Sequence, residues 1–384
     1  MPKIINPSLF ARVEEHQART AIIATEGIFN YGDLLDASRR VAACLLNSEA
    51  DLREKRVAFS IPPGFHYVAT QWGIWRAGGI AAPLCVSHPQ PELEYVIADS
   101  GAEIVIAHPD FAKTLQPIAE KRGLRFLVTP QALNHTPGAL PQIDTQRRAM
   151  IIYTSGTTSK PKGVVTTHQN IQAQVTALVS AWEWTADDHI LHVLPLHHIH
   201  GIINALTCAL WAGAICEILP KFDAEEVWRR IVAGNVTLFM AVPTIYVKLI
   251  EAWEAASPAQ QKIMSEACSR MRLMISGSAA LPIRVLEKWQ EMTKHVLLER
   301  YGMTEIGMAL SNPLHGQRVP GCVGTPLPNV EVKLVDENGN EVAPGTPGEI
   351  LVKGPGVFLE YWEKPEATRR AFRNGWFCTG DIAV

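Results

Sequence analysis

Ala149-Met150-Ile151-Ile152-Tyr153-Thr154-Ser155-Gly156-Thr157-Thr158-Ser159-Lys160-Pro161-Lys162-Gly163 joins an apolar run to a loop of hydroxyls, small residues and two lysines. The run predicts a buried strand opening directly into the loop. Backbone N–H groups of such a Gly/Ser/Thr loop form a concavity that holds phosphate oxygens, and lysine adds a compact positive charge. It is not a Walker-type loop. Lys162 follows Gly156 by six residues, but Pro161 stands where that motif needs its second glycine, and Gly163 replaces the Ser or Thr. A solvated polar connection is the competing reading; hydroxyls on both sides of Gly156, followed by Lys-Pro-Lys-Gly, weigh against it.

Outward from this loop, short β-branched or apolar runs alternate with helical patterns. Strands are expected at 56–61, 80–82, 104–107, 151–153, 190–193, 238–241 and 273–275, and helices at 67–77, 170–180, 224–233, 244–256 and 282–293. Strands separated by helices imply parallel sheets covered on both faces. After about position 312 the pattern changes. Residues 330–335 alternate, Asn338-Gly339 is a hairpin signal, and 348–352 follows as a partner, which predicts an antiparallel unit.

The bulk properties exclude more than they identify. A chain of 384 residues has a length prior of about two to three domains or subdomains. Hydrophobic residues make up 47% and charged residues 19%, which supplies ample core, and the net charge of −3 is not blocked in a way that suits nucleic acid. Seven cysteines without CxxC spacing point to reduced thiols rather than a disulfide framework or a zinc ribbon. The start lacks a signal-peptide apolar core, and Glu14 and Glu15 disfavour a transit peptide, so a cytoplasmic location is expected. Residues 190–216 contain no Asp, Glu, Lys or Arg, but His192, Pro195, His197, His198, His200 and Asn204 interrupt them. A strand, a loop and a buried helix suit that stretch better than a span of about 20 apolar residues.

Three further segments look chemical. Leu273-Met274-Ile275-Ser276-Gly277-Ser278-Ala279-Ala280-Leu281-Pro282 reads as a strand, a small-residue loop open to a flat ring, and a helix start. Glu299-Arg300-Tyr301-Gly302-Met303-Thr304-Glu305 offers an aromatic face, a close-approach glycine, a hydroxyl and a carboxylate. A carboxylate beside a phosphate site is how magnesium is usually recruited. In Trp376-Phe377-Cys378-Thr379-Gly380-Asp381, an Asp after a glycine turn can accept both hydroxyls of a ribose. Each segment alone has a bland reading as a turn or a surface residue. His197, His198 and His200 are dense, yet no Cys or second His cluster completes a tetrahedral set, so no metal beyond magnesium is expected.

Together, the order and spacing of the phosphate loop, 301–305 and 379–381 resemble the adenylate-forming enzymes, which include acyl-CoA synthetases, nonribosomal-peptide adenylation domains and luciferases. The resemblance runs from about Asn30 to the end of the sequence. It implies ATP-dependent activation of a carboxylic acid through an acyl-adenylate, then capture by coenzyme A. It further implies that Thr154, Ser155, Gly156, Thr157, Thr158 and Lys162 handle the β- and γ-phosphates. Ser278, Ala279 and Ala280 line the adenine, and Tyr301 stacks on it beside Gly302. Thr304 bonds the α-phosphate, Glu305 binds Mg2+ with Thr157, and Asp381 holds the ribose. Ser159 departs from the pattern, where glycine is usual. The expected fold is α/β, with two parallel-type sheets flanked by helices in a layered core over 1–315, plus a small antiparallel β-barrel-like subdomain over 316–384.

Pro195-Leu196-His197-His198-Ile199-His200-Gly201, Ala241-Val242-Pro243-Thr244-Ile245-Tyr246 and 271–278 look most like malonyl-CoA synthetases. Malonate carries a second carboxylate, so its pocket needs a cation. Arg272, which opens the strand leading to 276–280, is the expected partner, with His200 and Met303 bordering the acyl pocket. Other readings are a ligase for another small acid, an adenylation domain serving a carrier-protein phosphopantetheine thiol, or a non-catalytic nucleotide-binding fragment. The family's small mobile C-terminal domain is expected to be missing. On that basis the chain should bind nucleotide but adenylate slowly and form thioester hardly at all.

Overall fold

The computed structural model describes residues 8–154 and 160–384. Apolar runs flanked by helices become two large sheets, as alternating strand and helix patterns require. One has nine strands, in spatial order Thr325–Pro326, Gly307–Ser311, Leu298–Met303, Leu273–Ser276, Leu238–Ala241, His189–His192, Ile215–Ile218, Thr20–Ala24 and Gly27–Asn30. The other has seven, in the order Glu360–Tyr361, Lys162–Thr167, Arg148–Thr154, Ile80–Pro83, Arg56–Ser60, Ile104–Ala107 and Arg125–Val128. Both are parallel in their interiors and antiparallel toward an edge.

Glu331–Val335, Gly348–Lys353, Trp376–Ala383 and Phe372–Arg373 form a third, curled antiparallel sheet of four strands. Gly339 adopts φ +87 in the tight turn that Asn338-Gly339 signals. That turn closes a bridge from Val335 to Glu341 before the chain reaches the longer partner strand. Residues 316–384 also lend Thr325–Pro326 to the nine-stranded sheet and Glu360–Tyr361 to the seven-stranded one. This final stretch therefore ties all three sheets together.

The helices expected from periodicity form at Phe65–Arg76, His168–Ala181, Ala224–Ala233, Pro243–Ala255 and Ile283–Thr293. Their ends follow local chemistry. Thr167 and Asn170 exchange side-chain and backbone hydrogen bonds in a capping box, Asp223 caps through Glu226, and Gly234 closes its helix with φ +85. The charge-free stretch resolves into the strand His189–His192, a π-helix His200–Thr207 and a helix Cys208–Ala212, with both helical segments wholly buried. Among the described residues no helix is long and apolar enough to cross a membrane.

Trp72, Trp75, Trp182, Trp289, Tyr31 and Tyr246 anchor the core as its largest buried side chains. Several bury a polar handle at no loss. The Trp75 indole donates to Ala149 O (2.8 Å), Tyr31 to Ala214 O (2.6 Å) and Tyr246 to Ile275 O (2.9 Å).

Burial also drags two core histidines below their usual value, His168 to about 3 and His192 to about 4. Both are neutral in the fold and take up protons on unfolding, so their contribution is complete above the unfolded value near 6.5. It is lost as pH falls from there through 4. The melting temperature should hold from pH 8 to 6.5 and then fall, and replacing His168 with glutamine should shallow that decline. A flat profile down to pH 4.5 would contradict the assignment.

Candidate active site

Ligands of open parallel sheets gather beyond the carboxyl ends of the strands. Here the seven-stranded sheet contributes Thr154, at the end of Arg148–Thr154, and Lys162, which opens the antiparallel return strand; the two are paired in register. Ser155, Gly156, Thr157 and Thr158 lie outside the described residues, so the expected phosphate contacts and the Thr157 metal contact have no described geometry. Both flanks of the loop are anchored. The Tyr153 hydroxyl donates to Asp99 Oδ2 (2.8 Å), Tyr95 donates to Pro161 O (2.7 Å), and Lys364 Nζ meets Asp99 Oδ1 at 2.9 Å. Lys162 Nζ stands 4.3 Å above the Tyr361 ring.

Glu305 follows the strand Leu298–Met303 and is 4% exposed. Its Oε1 accepts from the Tyr361 hydroxyl at 2.9 Å. Burial raises its pKa, while Tyr361 and the charge of Lys162 pull the other way. A buried carboxylate oxygen with no ion pair among the described residues suits a hard cation that keeps most of its waters, so Glu305 fits magnesium. Thr304 precedes it, half-buried at the strand end.

The structure also unites two residues 80 positions apart. The Tyr301 hydroxyl donates to Asp381 Oδ2 at 2.6 Å, which brings the expected adenine and ribose positions together. Ser278, Ala279 and Ala280 are exposed at the end of Leu273–Ser276, and Ser278 holds φ +65, a conformation costly for a side chain outside glycine. A Cβ on Gly302 would overlap Gly307 O and Met308, so this glycine serves the close approach of the two antiparallel strands. Met303 is half-buried and packs on the apolar cluster of Ile306, Phe358, Tyr361 and Phe377.

The acyl side holds the main surprise. His200 opens the π-helix, is 4% exposed, and shares a hydrogen bond between Nδ1 and Ser278 Oγ (3.1 Å). Its Nε2 has no partner among the described residues. Burial and the charge of Arg300 hold its pKa well below the usual value, so the ring is neutral. Arg300 is 5% exposed, and its Nε and Nη2 have no partner among the described residues. Register places it opposite Gly277, where any Cβ would overlap the guanidinium. Burial lowers its pKa to about 9, which leaves it charged at neutral pH with no counter-ion among the described residues. A buried guanidinium with unpartnered donors beside a neutral imidazole has the chemistry to receive a carboxylate.

Arg272, the cation expected from sequence, is committed elsewhere. Its Nε and Nη2 form a fork on Asp188 (2.9 and 2.8 Å), and Nη1 donates to Trp182 O at 2.8 Å. It enters Leu273–Ser276 at the amino end, about 13 Å from Ser276 at the strand rise of ~3.3 Å per residue. Thus it supports the sheet from the end opposite the site. Arg272→Leu should strand the buried Asp188 and lower stability by about 3 kcal/mol, with KM for the acid unchanged; denaturant melts and kinetics separate the two effects. Sequence reasoning passed over Arg300, although a signal existed. A charge inside Val296-Leu297-Leu298-Glu299-Arg300, within a strand buried on both faces, requires a partner.

No group of three or more His, Cys, Asp or Glu able to hold a metal occurs among the described residues. All seven cysteines are free thiols.

Two layered sheets bring Lys162 and Glu305 to Tyr361, and the third sheet supplies Asp381 to Tyr301. The chain belongs to the AMP-binding enzyme family, which it matches over residues 9–362. It is similar to the mitochondrial malonate–CoA ligase ACSF3 of Bos taurus, 47% identical over 98% of this chain and 71% of that protein. Among solved structures it is similar to apo MatB from Rhodopseudomonas palustris, with 34% identity, a TM-score of 0.89, and coverage of 98% of this chain and 76% of that one. It is also similar to a malonyl-CoA ligase in a ternary product complex with methylmalonyl-CoA and AMP, with 33% identity, a TM-score of 0.84, and coverage of 96% and 75%.

Proposed function

We propose that this chain is an AMP-forming acid–CoA ligase whose acid is malonate or a close dicarboxylate. One carboxylate attacks the α-phosphorus of ATP, pyrophosphate leaves, and the coenzyme A thiol then displaces AMP from the acyl-adenylate. The observation that carries the reading is Arg300, a buried guanidinium without a counter-ion among the described residues, beside neutral His200. A fatty acyl chain would leave that charge uncompensated, whereas the second carboxylate of malonate answers it. The names of the relatives, malonate–CoA ligase and malonyl-CoA ligase, support the same acid.

Within this reading Tyr301 carries the adenine and Asp381 the ribose, and their mutual hydrogen bond fixes the angle between them. Ser278 orients His200 toward the acid, and Thr304 serves the α-phosphate. Thr154 and Lys162 flank the polyphosphate, with Ser155, Gly156, Thr157 and Thr158 between them. Glu305 would hold magnesium, which neutralises phosphate charge when bound. Electrostatic positioning of this kind is the main catalytic resource in phosphoryl chemistry. A core over 1–315 with a small β unit over 316–384 remains our division of the chain. The bovine relative carries a mitochondrial name, and subcellular fractionation decides where this chain acts.

ATP–pyrophosphate exchange against a panel of acids tests the proposal. Malonate and methylmalonate should support exchange, and acetate, butyrate and octanoate should not. Equal rates with monocarboxylates would refute the substrate.

A further inference from the structure

Lys162 and Glu305 attract one another across the site, yet they form no ion pair in the structure. Between them stands Tyr361, 6% exposed. Its ring face receives the ammonium at 4.3 Å, and its hydroxyl donates to Glu305 Oε1 at 2.9 Å. The ring cannot easily move. Tyr361 pairs with Val164 in the strand that begins at Lys162, and flanking bonds run from Leu359 N to Val165 O and from Trp362 N to Gly163 O, each 2.8 Å. Tyr361 N also donates to Thr368 Oγ1 at 3.0 Å, and Phe358 packs edge-on at 4.8 Å.

A lysine and a carboxylate in direct contact would satisfy each other and leave little for a nucleotide. The aromatic spacer satisfies each at one point only. The lysine keeps its N–H donors, and the carboxylate keeps an oxygen for a cation. We propose that Tyr361 is a positioning residue that holds Lys162 and Glu305 apart, so that one stays free for phosphate and the other for magnesium. This rests on the nucleotide reading above and extends it to a residue outside the expected motifs. The segment 359–364 drew no notice in sequence because its role arises only when it adds to the edge of the seven-stranded sheet.

The test is a binding measurement on the full chain. ATP affinity is titrated calorimetrically with Mg2+ and with EDTA, for the parent, Tyr361→Phe and Tyr361→Leu. Tyr361→Phe keeps the spacer and loses the hydroxyl, so the Mg2+ concentration for half-maximal enhancement should rise about 10-fold, with affinity in EDTA unchanged. Tyr361→Leu lets the two charges collapse, so affinity should fall in both media. In a Glu305→Gln background, Tyr361→Phe should have no further effect on Mg2+ dependence, a non-additivity that a merely structural tyrosine would not produce. A lower melting temperature with parental Mg2+ dependence would overturn the inference alone. A parent that binds no Mg·ATP would overturn the proposed function together with it.

Discussion

Replacing Arg300 with methionine is expected to lower kcat/KM for malonate by about 10²- to 10³-fold and to raise the melting temperature of the unliganded protein. The two effects have one cause. The fold holds a guanidinium that is 5% exposed, has unpartnered Nε and Nη2 atoms and no counter-ion among the described residues, and is far enough from water that burial draws its pKa to about 9. Removing one partner of a buried charge pair costs about 3–5 kcal/mol, and the lower part of that range, about 3–4 kcal/mol, converts to that loss in the acid-bound state. In the free protein there is no pair to break, so an apolar side chain of similar length relieves a desolvation cost. ATP affinity, measured without acid, should be unchanged. Malonate kinetics equal to the parent would remove Arg300 from the site. A drop in stability would mean that the guanidinium has a structural partner.

The second large effect is expected at Glu305. Glu305→Gln keeps the shape and an acceptor for the Tyr361 hydroxyl but removes the charge. The rate of pyrophosphate exchange should fall by about 10²- to 10³-fold, the usual loss when one preorganised electrostatic group is deleted. At sub-saturating Mg2+, where the proton competes with the ion for the carboxylate, the parent should also lose activity on the acid side at a higher pH than an ordinary carboxylate would give. The direction follows from burial, which raises the Glu305 pKa, so the ionised form disappears early as pH falls. In Glu305→Gln the residual rate should no longer show that acid limb. A variant with parental rate, or with the limb intact, would assign the titration elsewhere.

Much of this architecture was legible because the relevant signals are local. Ile104–Ala107 and Leu238–Ala241 form where continuous apolar runs end at turn residues, and Ala224–Ala233 forms between its Asp223 cap and Gly234. Tyr301, Glu305 and Asp381 were picked out by residue chemistry at characteristic spacing, and Tyr301 and Asp381 do meet in space. Arg272 and Arg300 show where that legibility stops. Both are arginines beside apolar strands, at opposite ends of a parallel pair. Sequence cannot say which end of a strand faces the cleft for a given side chain, because that depends on neighbours supplied by other strands. Asp188, from the turn before His189–His192, claims Arg272. Gly277, which lacks a Cβ, leaves room for the Arg300 guanidinium, whose Nε and Nη2 find no partner among the described residues.

The sequence by itself determined the layered α/β class, the nucleotide chemistry and the family, because hydrophobic period, turn residues and motif spacing are written along the chain. The tertiary structure alone decided which arginine is paired and which is left unpartnered among the described residues, and how Lys162 and Glu305 stay separate. Burial and charge pairing are properties of surroundings assembled from distant segments, as when Tyr361 arrives at the edge of the seven-stranded sheet to stand between a lysine and a carboxylate.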